Sequence, residues 1–447
     1  MAVLDPDFLL IRDNNHLSDI PRHSDQIIMA HLCNEDILSL IFIDAFHSGS
    51  SPLLTLRSVN RTWFDVVGRT PQLWTRLVLN QKSDFIDLEY AKFYLLKSGA
   101  VPIDVRIMFP DYAEVNQIGG VTALLRNHAP RFRSLELHVR FHEELEALIS
   151  SIGGGRPAPL LEALVLYVGH LKRYSDVSDY EIHSLPTAFT PSPRLTHIKL
   201  SGPSIPKTLQ PTVTSLTIVG PHHMVAVNNM VSCVESTPSL RHLKFNGYDD
   251  PSSLSRISSK FENPRIVSLP DLLTANVSVP GYGVYLLRVI DAPKLYDIHL
   301  DGSTVYGCYW QGDGWDEDVS ALFSITIRHL SAHSRNLRRM TLRFTVFYSP
   351  LEDYTLILSG AGFPQLEELE LIGTDIDDKA LLAASGGGGS STLKKLTMRQ
   401  CNRVTGTGLL GFSRGRRNDF RLSLFSCRGV RETAIVELSE IVNVFCI

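Results

Sequence analysis

Leu366-Glu367-Glu368-Leu369-Glu370-Leu371 returns 27 residues later as Leu393-Lys394-Lys395-Leu396-Thr397-Met398. Both copies keep one pattern: apolar, two free positions, apolar, one free position, apolar. The last two apolar residues alternate, so they share one face of an extended strand, while the first anchors the approach to it. The pattern also occurs at Phe132, Leu135, Leu137; at Leu161, Leu164, Leu166; at Leu195, Ile198, Leu200; and at Val213, Leu216, Ile218. It continues at Leu240, Leu243, Phe245; at Leu295, Ile298, Leu300; and at Leu337, Met340, Leu342, with a degenerate last copy at Leu422 and Leu424. Successive starting points from 132 are 29, 34, 18, 27, 55, 42, 29 and 27 residues apart. Most of these fall in or near the range of leucine-rich repeats. The 55-residue interval predicts a decayed copy near Ile266 and Leu269.

Helical patterns lie between the copies, at 142–152, 224–235, 318–333, 379–384 and 432–442. Each repeat therefore reads as strand, loop, helix. Three apolar side chains are too few to stabilise one such unit, so neighbours must stack. The predicted fold class is an α/β solenoid, an irregular leucine-rich repeat horseshoe over residues 101–447 with parallel strands on its concave face. It is entered by a strict alternation at Val101, Ile103, Val105 and Ile107 and preceded by a linker helix within 81–100, spanning 88–97.

Further upstream the periodicity changes. After Asn34, a good helix N-cap, Ile37, Leu38, Ile41, Phe42 and Ala45 form a helical stripe. Ser51 and Pro52 can start a second helix with Leu56, Val59, Trp63 and Val66 on one face; Leu73, Trp74 and Leu77 add a short turn. These residues make a helical trio within 31–80 that is too small to supply much core of its own and is expected to lean on a partner. Residues 1–30 read as a loosely held leader with no assigned function.

The trio resembles the F-box, in the F-box-like form that precedes irregular leucine-rich repeats. That family opens Leu-Pro-x-Glu-Ile-Leu-x-x-Ile-Phe, where this chain has Cys33-Asn34-Glu35-Asp36-Ile37-Leu38-Ser39-Leu40-Ile41-Phe42. Its second half, Leu-x-x-Val-Cys-Arg-x-Trp and then Pro-x-Leu-Trp, corresponds to Leu56-Arg57-Ser58-Val59-Asn60-Arg61-Thr62-Trp63 and Pro71-Gln72-Leu73-Trp74. The second half matches well, whereas Cys33-Asn34 departs from the Leu-Pro pair. The resemblance implies an SCF-type substrate receptor: Ile37, Leu38, Ile41, Phe42, Leu56, Val59 and Trp63 would bind the Skp adaptor on its cullin scaffold. The repeats would then hold a target protein for ubiquitin transfer. The alternatives are a helical cap on the repeats and a repeat scaffold independent of any ligase.

The last copies also resemble the cysteine-containing repeats that accompany many F-boxes, through Cys401 and Cys427. Each Cys reads as a small buried wedge. Near 370, Gly373 stands in the cysteine's place and Thr374-Asp375 keep the turn chemistry.

A net charge of -4 over 447 residues gives no call for nucleic acid. No apolar run is long enough for a membrane span, and six scattered cysteines do not form a disulfide scaffold, so the cytoplasm or nucleus is expected. The loop 306–318, with Tyr309, Trp310 and Trp315 among acids and glycines, is either a target contact or a self-packed surface loop. His329 and His333 stand four apart but lack the Glu of a zinc-protease motif and a third ligand. The run Gly386–Gly389 lacks the Lys of a phosphate loop, and Arg414-Gly415-Arg416-Arg417 reads as a solvated turn. No catalytic set converges, and the expectation is a chain that is not an enzyme and needs no metal or cofactor.

Overall fold

The structure, a computed structural model, describes residues 34–47, 53–80, 87–109, 115–169, 184–202, 205–220, 227–246, 265–278, 282–303, 317–386, 392–414, 416 and 419–446. The chain forms two compact units, Met1–Trp74 and Thr75–Ile447. The three target-contact aromatics, the leader and Cys33 lie outside the described residues.

In the first unit, helix α1 is Glu35–His47, α2 is Leu53–Val59 and α3 is Arg61–Arg69, followed by a 3-10 turn at Pro71–Trp74. The stripe Leu56 to Val66 predicts one helix, but the backbone breaks at Asn60, which is fully extended. The side chain of Asn60 accepts a hydrogen bond from the Trp63 N–H at 2.8 Å. A side chain that offers the backbone a local acceptor starts a helix more readily than it continues one. α1 packs on α3 and on the 3-10 turn. Trp74 is buried, and its indole N–H donates to the Val67 carbonyl at 2.8 Å.

Among the described residues, the second unit is built on a sheet of fourteen parallel strands in strict sequence order. They are β1 (Arg76–Asn80), β2 (Ile103–Met108), β3 (Phe132–Val139), β4 (Ala163–Val168), β5 (His197–Ser201), β6 (Ser215–Val219), β7 (His242–Asn246) and β9 (Thr274–Ser278). The order continues with β11 (Asp297–Asp301), β12 (Arg339–Arg343), β13 (Glu368–Ile372), β14 (Lys395–Arg399), β15 (Arg421–Phe425) and β16 (Asn443–Cys446). Two-residue strands β8 (Val267–Ser268) and β10 (Ile290–Asp291) pair beside it.

A parallel sheet covered on both faces has strands that are apolar throughout. Here burial alternates along nearly every strand, so one face is covered and the other is open. The covering layer contains α4 (Leu88–Lys97), α5 (Val115–Leu125), α6 (His142–Gly153), α7 (Val227–Glu235), α8 (Tyr282–Arg288) and α9 (Glu317–His333). It is completed by α10 (Pro350–Leu358), α11 (Asp378–Gly386), α12 (Gly406–Ser413) and α13 (Glu432–Ser439), and consecutive helices of this C-terminal run pack on one another. This is the α/β solenoid that the repeat pattern predicts.

The structure shifts three boundaries. The sheet begins at β1, whose Leu77 and Leu79 are buried, so the strand after Trp74 belongs to the repeats, and α4 is the helix of the first repeat. The decayed copy is Leu272, Ala275, Val277 on β9 and not the pair near 266–269, which lies at β8 outside the main sheet. Ala275 hid it, because a methyl group in a leucine position weakens the pattern without breaking the ladder. A last strand, β16, follows α13 unannounced.

The turn after each strand repeats too. Phe344, Gly373, Gln400 and Ser426 follow β12 to β15 directly, and all have positive φ, at 46°, 59°, 55° and 53°. Phe344, Gly373 and Gln400 each donate an N–H to the last residue of the next strand, Ile372, Arg399 and Phe425, at 2.7, 2.8 and 2.9 Å. Since Ile372 pairs with Arg399, Gly373 aligns with Gln400 and Thr374 with Cys401. Thr374, not Gly373, therefore occupies the cysteine's place, and its hydroxyl lies 3.6 Å from the Cys401 thiol.

Candidate functional site

Each unit presents one surface. On the first, the stripe assigned to an adaptor divides in two. Leu38, Phe42 and Leu56 are buried, and Trp63 is half-buried with its ring 4.7 Å from that of Phe42. They form core. Ile37, Ile41 and Val59 are half exposed, at 51%, 51% and 53%. Leu40 at 67% and Phe64 at 45% are exposed as well. Both escape a reading that follows only the best-patterned stripe, because Leu40 lies on the polar side of the helix, one turn from Asp36 and from Asp44. Phe64 is framed by the Arg57 guanidinium, 4.4 Å from its ring centre. Five large apolar side chains are thus exposed on three short helices.

On the second unit, a groove of about 480 Å³ opens over β11 to β16 on the uncovered face. Its walls carry charges of alternating sign along one row of paired positions: Asp297, Arg339, Glu368 and Lys395. Beside them Arg399 holds Glu370 at 2.9 Å and lies 4.0 Å over the Phe425 ring, which meets Phe445 edge-on at 6.0 Å. Phe445, 57% exposed, supplies an aromatic end to an otherwise charged floor. Burial raises the Asp297 carboxyl, with Arg339 opposing it. Burial also lowers the His299 imidazole on the same strand. The groove thus combines charges of both signs, of which Arg399 and Glu370 form an ion pair, with an aromatic edge.

Cys401 and Cys427 sit on the covered side of the turns. The Cys401 thiol points at the carbonyls of Leu371 and Arg399, and that of Cys427 at Met398 and Phe425. The hydrogen bond with the neighbouring Cys427, and then burial, raise the Cys401 thiol. Next to this column, the buried Tyr354 hydroxyl donates to Asp375 at 2.8 Å. Burial raises the Asp375 carboxyl, and the bonds from Tyr354 and the Phe347 N–H partly offset it.

His329 and His333 stack at 4.3 Å, but each is engaged elsewhere, His329 with the Ile290 carbonyl at 2.9 Å and His333 with Asp291 at 3.3 Å. Among the described residues no group of three or more His, Cys, Asp or Glu could hold a metal ion, and no helix is long and apolar enough to cross a membrane. Arg416 departs from the expected solvated turn: it donates to the Leu358 carbonyl at 3.1 Å and covers the Phe412 ring at 4.0 Å. Burial lowers it to about 10.

No family model matches the chain, and no curated protein does. Among solved structures it is similar to the crystal structure of the Rad7 and Elc1 complex in yeast, at 14% identity and a TM-score of 0.41, over 94% of this chain and 88% of that one. It is also similar to a Bacteroides fragilis protein, at 11% identity and a TM-score of 0.33, over 70% of this chain and 74% of that one. The solenoid itself stands on the pairing of its own strands.

Proposed function

We propose that the chain is a non-catalytic adaptor. Its F-box-like helices dock on the Skp adaptor of a cullin-type ubiquitin ligase, and its repeats hold a target protein. The observation that carries the reading is the exposed apolar set Ile37, Leu40, Ile41, Val59 and Phe64 on a helical unit that precedes a repeat sheet with one open face. The docking residues are then these five, with Leu38, Phe42, Leu56 and Trp63 supporting them from beneath. The mechanism is proximity: holding target and ligase on one chain raises the effective concentration of target lysines at the transfer site.

Ile37→Asp with Ile41→Asp should abolish co-purification with the Skp adaptor while the circular dichroism spectrum stays unchanged. Undiminished recovery rejects the docking. A repeat scaffold without a ligase remains the second reading, favoured by Cys33-Asn34 in place of the family's Leu-Pro. Recovery of a target without any cullin would support it.

A further inference from the structure

The open face of the sheet is not electrically uniform. Toward its C-terminal end, opposite charges face each other in adjacent strands, and Arg399–Glu370 and Arg343–Asp301 pair at 2.9 and 3.7 Å. Toward its N-terminal end, Glu136 is held between Arg106 at 3.4 Å and His138. Between these two ends, the outward positions of β4, β5, β6, β7 and β9 carry no acid.

That acid-free tract holds four exposed cationic or imidazole side chains. His197 and Lys199 lie on β5, and His242 and Lys244 lie on β7. The strand between them, β6, offers Ser215 and Thr217. Pairing sets His197, Ser215 and His242 in one row, and Lys199, Thr217 and Lys244 in the next. Neither lysine has an ion-pair partner among the described residues. Among the described residues, the acids nearest the tract are Glu162, exposed just before β4; Glu136, two strands before Lys199, which pairs with Arg106 and His138 and also feels the Lys199 charge; and Asp297, two strands beyond His242.

We propose that this tract binds an acidic segment of a partner protein, lying across the strands with carboxylates three residues apart. The spacing argument is geometric. Two strand steps put Lys199 and Lys244 roughly 9.5 Å apart along the row. A polyproline-type segment returns a side chain to the same face every third residue, after about 9.3 Å. Successive third-position Glu or Asp side chains then meet one lysine each, and Thr217 and Ser215 can bond to the backbone between them. A nucleic acid fits less well, since phosphates recur at closer intervals than two isolated lysines can match, and the tract has no aromatic platform on its three central strands. The inference rests on the repeats being the target-binding part of the proposed function and is independent of docking by the helical unit.

The test is selection of the full-length chain against a displayed random-peptide library, followed by anisotropy with a labelled peptide of repeating Glu-Pro-Ala triplets. Enrichment of acids at every third position is expected. Lys199→Glu with Lys244→Glu should weaken the triplet peptide by about tenfold or more, while Lys92→Glu on α4 leaves binding unchanged. A peptide with its Glu residues clustered should bind more weakly than the triplet peptide. Enrichment of apolar or basic peptides, stronger binding of a phosphoserine peptide or of single-stranded RNA, or indifference to the double charge reversal would each overturn the proposal. Because no adaptor is present, failure here is separable from failure of the docking.

Discussion

At the scale of single residues, the column behind the post-strand turns is the clearest case of a position read correctly in kind and wrongly in register. Thr345, Thr374, Cys401 and Cys427 succeed one another along β12 to β15, and the first three are buried. The place accepts a small side chain with one weakly polar atom. Cys401→Thr is therefore expected to cost under about 1 kcal/mol, whereas Cys401→Leu overpacks the wedge and costs about 1–3 kcal/mol. Urea unfolding of the two variants checks both. Glycine at 373 is visible in the sequence, whereas Gln400 and Ser426 adopt the same left-handed backbone without any such flag. A positive φ on an ordinary residue has no composition signal, and only the hydrogen bond to the next strand reveals why it is tolerated.

At the scale of elements, strands were more legible than helices. Alternating leucines leave little ambiguity about which face is inward, and the predicted copies from Phe132 to Leu424 fall on strands of the sheet, except the decayed one expected near Ile266 and Leu269. The apolar periodicity of helices α2 and α3 runs on through Asn60 and so predicts one helix, while the break is made by one polar side chain and one hydrogen bond. Asn60→Ala removes that cap and should destabilise the helical unit by about 1 kcal/mol. A thermal melt of the full chain followed at its first transition would show it, and Asn60→Asp should restore most of the loss. In the helical unit, Ile37, Ile41 and Val59 of the seven-residue stripe are exposed, and Leu38, Phe42, Leu56 and Trp63 pack inward. A stripe tells which side of a helix is apolar, but not how far around the helix the neighbours reach.

At the scale of the whole molecule, stability is tied to pH through buried imidazoles. Burial holds His128, His299 and His329 below their ordinary value of about 6.5. The unfolded chain thus takes up protons that the folded chain refuses, and the stabilisation present above that value is lost as pH falls through it. The melting temperature should drop between pH ~7.5 and pH ~5.5. His329→Gln, which keeps a donor for the Ile290 carbonyl, should make that drop shallower. Asp297 and Asp375, both raised by burial, act oppositely, but in the more acidic window just above the ordinary carboxylate value, where the folded chain takes up protons first. A melting temperature independent of pH across the imidazole range would show that these rings are hydrated.

The post-strand turn has one more consequence. Each strand is locked to the next by backbone bonds, so the rungs stay evenly pitched however much chain is spent between them. Inserted residues are shunted to the rim, and the mutual distances of the outward-facing groups depend on how many rungs separate them. Such a surface can keep its metric while its connecting segments drift freely in length.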